Sequence, residues 1–307
     1  MSRVRVLSVV AAMAASATVA TLGLAPTSSA LVPSLVVIPV VAVAQASAVT
    51  APRWYPLWNS DNHRGPSSSW PTSWPRPEQV APTAVGPLTG RIIVIDPGHN
   101  RGNFTHAREI NRHYWVGLNK ICNTTGTETR SGYLEATYTF DVAHRLARRL
   151  AAAGASVVLT RDDNSVNTFG PCIQARGLLG GQVGADITVS IHADGGPSYG
   201  RGAFVYAPSR LPGYTSQAKA DESRRLARRI MVGLAEQGLQ GSNYLRPNVS
   251  SNHDQGTLNS SSIPAVIVET LNMANHDDAA IATTKSGRAR VALGLFEGIR
   301  AFFVAQR

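Results

Sequence analysis

Five short runs of apolar, mostly branched residues, at 91–95, 156–160, 186–192, 202–206 and 265–269, alternate with helical segments along the last two-thirds of this chain. A half-exposed strand would carry a polar residue at every second position, so runs of this kind read as strands buried on both faces. Between the first two, Tyr138, Val142, Leu146 and Leu150 recur every four residues, the stripe of an amphipathic helix ending near Gly154. Residues 173–183, 218–239 and 289–304 read as further helices. Strands alternating with helices predict an α/β domain over 91–307, with a buried and mostly parallel sheet.

Sheets of this class place their sites beyond the carboxyl ends of the strands. The first run leads into Asp96-Pro97-Gly98-His99, the third into His192-Ala193-Asp194, and the fifth ends at Glu269. Glu135 stands in the first turn of the helix after Ser131, aimed back at the same edge. Two histidines and a carboxylate with an open position form the ligand set of a hydrolytic zinc site. A fourth group must then carry the proton to the leaving amine. On this pattern His99, Glu135 and His192 are the candidate ligands and Glu269 the candidate general base and acid. The residue types alone also allow a plainer reading, with strand-end histidines that are structural and Glu135 stabilising a helix N-terminus. The other histidines, His63, His106, His113, His144, His253 and His276, end no apolar strand and read as surface or structural groups. Of these, His106 and His113 are expected nearest the metal. There is no G-x-x-x-x-G-K-[ST], G-x-G-x-x-G or H-E-x-x-H, which disfavours nucleotide hydrolysis, dinucleotide binding and the commonest zinc-protease plan.

Arg3 and Arg5 precede an uncharged stretch from Val6 to Ala25, followed by small residues. This is the pattern of an export signal over 1–48, with small-x-small cleavage sites near 30 and near 48. The protein is therefore expected to be secreted, to periplasm or cell wall, and to meet the membrane only through the signal. Outside the cytosol Cys122 and Cys172 read as one disulfide. Residues 49–90 read as a linker or arm rich in Pro and Trp; Trp54, Trp58, Trp70 and Trp74 either stack on sugar rings or pack against the domain. The net charge of +10 suits an anionic partner, but it is spread without runs, and export removes nucleic acid as a partner.

I-D-P-G-H at 95–99, Glu135 opening a helix, V-V-L-T-R at 157–161, S-I-H-A at 190–193 and P-A-V-I-V-E at 264–269 occur in this order. Together they resemble the zinc-dependent N-acetylmuramoyl-L-alanine amidases of the amidase type 3 family, and the chain is most similar to the short secreted mycobacterial members. The resemblance spans roughly Arg91 to Val304. It implies a mixed six-stranded sheet flanked by helices on both faces. It also implies hydrolysis of the amide between muramic acid and L-alanine in peptidoglycan or its fragments, one Zn2+ held by His99, Glu135 and His192, and Glu269 as the catalytic residue. Arg161, Arg176 and Asn275 match further family positions, with substrate-contacting or structural roles. Asn100 departs from the family's glycine at that place, and the loop from His99 to Glu135 is longer than usual. The expected Cys122–Cys172 bridge would pin that loop beside the metal. A zinc peptidase acting on the stem peptide and a silent wall-binding protein are the competing readings; all four candidate catalytic positions are intact, which argues against the second. No hydrophobic stripe beyond the core elements calls for a dimer, so a monomer is expected.

Overall fold

The computed structural model describes residues 70–71 and 73–305. The signal pattern and Trp54 and Trp58 lie outside them. In chain order the elements begin with β1 (Glu78–Val80), β2 (Ile92–Pro97), α1 (Ala107–Ile110), and the hairpin strands β3 (His113–Trp115) and β4 (Asn119–Ile121). There follow α2 (Glu135–Ala152), β5 (Ser156–Leu159), α3 (Ile173–Gln182), β6 (Ile187–Asp194), β7 (Phe204–Pro208), α4 (Gln217–Glu236) and β8 (Val249–Asn252). The chain closes with α5 (Gly256–Ser260), β9 (Ala265–Asn272), α6 (His276–Thr283) and α7 (Lys285–Val304).

The main sheet has seven strands in the order β1-β5-β2-β6-β9-β7-β8, where six were expected. Neighbouring strands from β5 to β9 are parallel, β1 and β7 run antiparallel to their inner neighbours, and β8 runs parallel to β7. The two edge strands, β1 and β8, escaped the sequence reading. Three residues of E-Q-V and four of V-S-S-N are too short and too polar to show a period, because an edge strand buries little.

Alternation along the strands assigns the two faces. Ile93, Ile95, Val157, Leu159, Val266 and Val268 join one core with residues of α2, α4 and α7, whereas Val94 and Val158 meet α3 and Ile267 meets α5. The period of two then puts Asp96, Ser190, His192 and Glu269 on the α3/α5 side. Helices α4 and α7 cross closely: Gly233 lies against the backbone of Gly294 and Gly298, where a Cβ would strike main chain.

A smaller cluster surrounds the disulfide. Trp70, Trp74, Ile110 and Phe169 pack with Cys122 and Cys172, which are bonded and buried. Trp74 meets Trp70 and Phe169 edge-on, at centroid distances of 5.4 and 6.5 Å, and Trp70 Nε1 donates to Pro75 O at 2.6 Å. Of the two roles open to the tryptophans, these two are packed in as an arm. No helix among the described residues is long and apolar enough to cross a membrane.

Candidate metal centre

The turn after β2, positions within the last half of β6 and β9, and the start of α2 build the site. Strand β9 runs on to Asn272, three residues past Glu269, where the sequence pattern places its end. The ladder pairs Asp96 with Ser190, which carries β2 and β6 up together, and pairs His192 directly with Glu269 on β9. Beyond β2 the chain turns at His99, whose φ of 56° lies in the left-handed region that side chains other than glycine enter reluctantly. Arg176 holds this turn: its Nη2 donates to His99 O at 2.7 Å and its Nη1 to Pro97 O at 2.7 Å.

Glu135, buried at the first residue of α2, sits between the two imidazoles. Its Oε2 lies 3.2 Å from His99 Nε2 and its Oε1 lies 3.1 Å from His192 Nδ1. The same oxygens accept backbone N–H groups from Thr127 at 2.9 Å and Ala193 at 3.0 Å. Burial alone would raise this carboxyl's pKa, but the facing histidines hold it well below the usual range. On the far side of its ring, His99 Nδ1 donates to Thr124 O at 3.1 Å, so that in the neutral imidazole Nε2 carries the lone pair a metal needs. One donor atom from each of the three residues lies within 4.8 Å of the others, so the group can hold a metal ion. Two imidazoles and one carboxylate, with His99 and Glu135 held by further hydrogen bonds, fit zinc or a similar divalent ion.

Glu269 joins this group at the wall of a shallow cleft of about 210 Å³, lined also by Thr124, Gly126, Thr127 and Asp194. Its Oε2 is buried without a hydrogen-bond partner. Burial first, then the charges of Glu135 and Asp194, push its carboxyl well above the usual pKa.

Residues 93–301 match the family model for N-acetylmuramoyl-L-alanine amidase, Amidase_3. The chain belongs to this family. Among its relatives is an N-acetylmuramoyl-L-alanine amidase of Mycobacterium tuberculosis, 33% identical over 223 residues that cover 71% of this chain and 89% of the relative. The crystal structure of the N-acetylmuramyl-L-alanine amidase from Mycobacterium smegmatis superposes with a TM-score of 0.66 at 32% identity, covering 71% of this chain and 99% of that one. The apo form of the same-named enzyme from Mycobacterium abscessus gives 0.65 at 33%, covering 70% and 99%.

In this amidase-family chain the two arginines singled out from sequence lie beneath the cleft, fully buried. Arg161 donates from Nε to Pro97 O at 3.0 Å and from Nη2 to Gly98 O at 3.3 Å and Ala136 O at 3.1 Å, tying the His99 turn to the start of α2. Arg176 adds an ion pair with buried Asp96 at 2.5 Å. Neither guanidinium reaches the cleft. Asn275 caps α6, its Oδ1 accepting from Asp277 N and Asp278 N, and donates to Ser198 O at 2.9 Å. His106 stacks on Phe169 and His113 contacts Asn119, both outside the metal-binding group.

The sequence reading missed Thr124, Thr127 and Asp96 as supports. Asp96 accepts from Thr160 and Ser190, both at 2.5 Å, besides Arg176. An aspartate closing a wholly apolar strand was the available signal for it, since such a group is buried and needs a partner. Gly98 also has a definite task. A Cβ there would overlap the His192 imidazole. Gly98→Ala is expected to weaken metal binding by about 10–100-fold, the usual cost of disturbing a group that orients a ligand, as read by competition with a chelating dye.

Proposed function

We propose that this protein is a secreted zinc hydrolase that cleaves the amide between muramic acid and the L-alanine of the stem peptide, serving cell-wall remodelling, turnover or cell separation. The observation that carries the reading is Glu135 held between His99 and His192, with the unpartnered carboxyl of Glu269 in register beside them. The relatives named as N-acetylmuramoyl-L-alanine amidases support the same bond.

His99, Glu135 and His192 would hold the ion. A bound Zn2+ would supply Lewis-acid chemistry, polarising the scissile carbonyl, acidifying water and offsetting the effect of burial on Glu269. Glu269 then takes the proton from the attacking water. The same carboxyl, whose surroundings favour its protonated form, gives that proton to the departing L-alanine nitrogen. Thr124 keeps His99 in one tautomer throughout, and Thr127 and Ala193 fix the Glu135 oxygens. Arg161 and Arg176 act in this scheme as supports of the ligand turn.

The surrounding organisation follows the same reading: an export signal over 1–48 cut near 30 or 48, an arm over 49–90, a catalytic domain over 91–307, and a monomer working in the periplasm or wall. The test is mass spectrometry of products after zinc-loaded protein meets purified muropeptides. Free stem peptide beginning at L-alanine, with the sugar's lactyl group intact, is the expected result. Shortened peptides still attached to muramic acid would make it a peptidase instead. No product from zinc-loaded protein would leave a wall-binding protein.

A further inference from the structure

Beside the metal cleft lies a second, larger groove of about 490 Å³ that the chemistry above leaves unused. Two chain segments wall both. Thr127 and Gly195 face the cleft, while Thr129 and Ser198 face the groove. Two or three residues of extended chain span at most about 7–10 Å, so the groove opens within about that distance of the cleft wall.

The groove is built rather than incidental. Met273, Ala279 and Ala280 line it, and Met273 N bonds Asp194 O at 2.8 Å, which ties the groove to the strand end carrying His192. Opposite, Thr129 and Tyr133 close a turn through Thr129 N to Tyr133 O and Tyr133 N to Thr129 Oγ1, both at 3.0 Å. That turn presents Arg130 to the groove, exposed and without an ion-pair partner among the described residues.

We infer that this groove takes the stem peptide beyond its first residue, with Arg130 binding a peptide carboxylate. The inference rests on the amidase reading and extends it to substrate choice. An extended peptide advances roughly 3.3–3.6 Å per residue, so two or three residues of stem peptide bridge the step from cleft wall to groove. The lining suits a peptide: it sets small apolar groups and hydroxyls beside the Arg130 guanidinium, and its one ring is the His276 imidazole. A guanidinium is the side chain best shaped for carboxylate.

Three substrates test this with zinc-loaded protein: muramoyl-L-alanine, a muramoyl tripeptide with free carboxylates (L-Ala-γ-D-Glu-L-Lys), and the same tripeptide with its carboxylates amidated. Arg130→Ala is expected to lower the preference for free-acid tripeptide over muramoyl-L-alanine by about two- to fivefold, through KM, as befits one exposed charge pair. The amidated tripeptide should start lower and respond little. Ala280→Trp, which fills the groove, should reduce the preference for both tripeptides. An unchanged preference in both variants overturns the inference. Failure to cleave any of the three substrates overturns the amidase reading instead. Calorimetric binding of the free tripeptide then still decides the groove: loss in both variants supports it and retention overturns it.

Discussion

Glu269→Gln is expected to lower kcat on muropeptides by about 10²–10⁴-fold while zinc uptake and fold are unchanged. The size is that of losing general acid and base function, since the amide of glutamine neither accepts the water's proton nor returns one to the leaving nitrogen. The substitution is nearly isosteric, and Glu269 Oε2 has no hydrogen-bond partner to lose. Thermal stability should therefore stay level, because no hydrogen bond is lost and the amide keeps the carboxyl's size. Metal content by mass spectrometry, Tm and kcat make the measurement. A variant that keeps more than a few per cent of the turnover would move the proton shuttle to another group, and Asp194, which lines the same cleft, would be examined first.

The second large effect is on stability. Asp96 and Arg176 form an ion pair inside the fold, and Arg176 also donates to Pro97, His99, Gly170 and Pro171 carbonyls. Removing one member of such a pair strands the other and typically costs about 3–5 kcal/mol. For a domain of this size that corresponds to a fall in Tm of roughly 6–20 °C for Arg176→Met or Asp96→Asn. The pH dependence has a definite sign. Burial works to raise the Asp96 pKa, but Arg176, Ser190 and Thr160 outweigh it and bring it below its ordinary 3.8. A group so depressed contributes stability that is complete above the unfolded value and lost as pH falls toward the folded one. The gap in Tm between wild type and Asp96→Asn should hold from neutral pH down to about 5 and narrow below about 4. A gap that widens in acid would show that the charge of Asp96 is not what the pair contributes.

The residues brought together at the candidate metal site were legible in the sequence because topology did the work. A buried parallel strand announces itself as an apolar run, and the residue where the run ends must stand at the sheet's edge. His192 and Glu269 close such runs in the sequence, although β6 and β9 continue two and three residues beyond them, and His99 lies two residues past the end of β2. Glu135 was legible for a related reason, as the first residue of a strongly periodic helix. Contacts across the sheet were hidden. That Arg161 and Arg176 point inward, to carbonyls of the ligand turn, depends on which strand neighbours which, and spacing along the chain does not encode it. The reversed direction of β7 was equally invisible, since a short buried run reads the same both ways. Arg130 lies in a polar turn whose role emerges only once Met273 and α6 stand opposite it.

The arm has a consequence for how this molecule survives in company. A sheet ends in a row of unpaired backbone groups, an open invitation to any extended chain nearby. On the β5 side that row is taken by β1, a strand of only three residues supplied from the Pro-rich stretch, while Trp70 and Trp74 anchor the same stretch over the disulfide. Cutting the gene at residue 91, where the apolar pattern begins, would yield a protein with its catalytic groups intact and its flank bare. Such a truncated form would tend to associate edge to edge, and its poor behaviour would be mistaken for a fault in the catalytic domain itself.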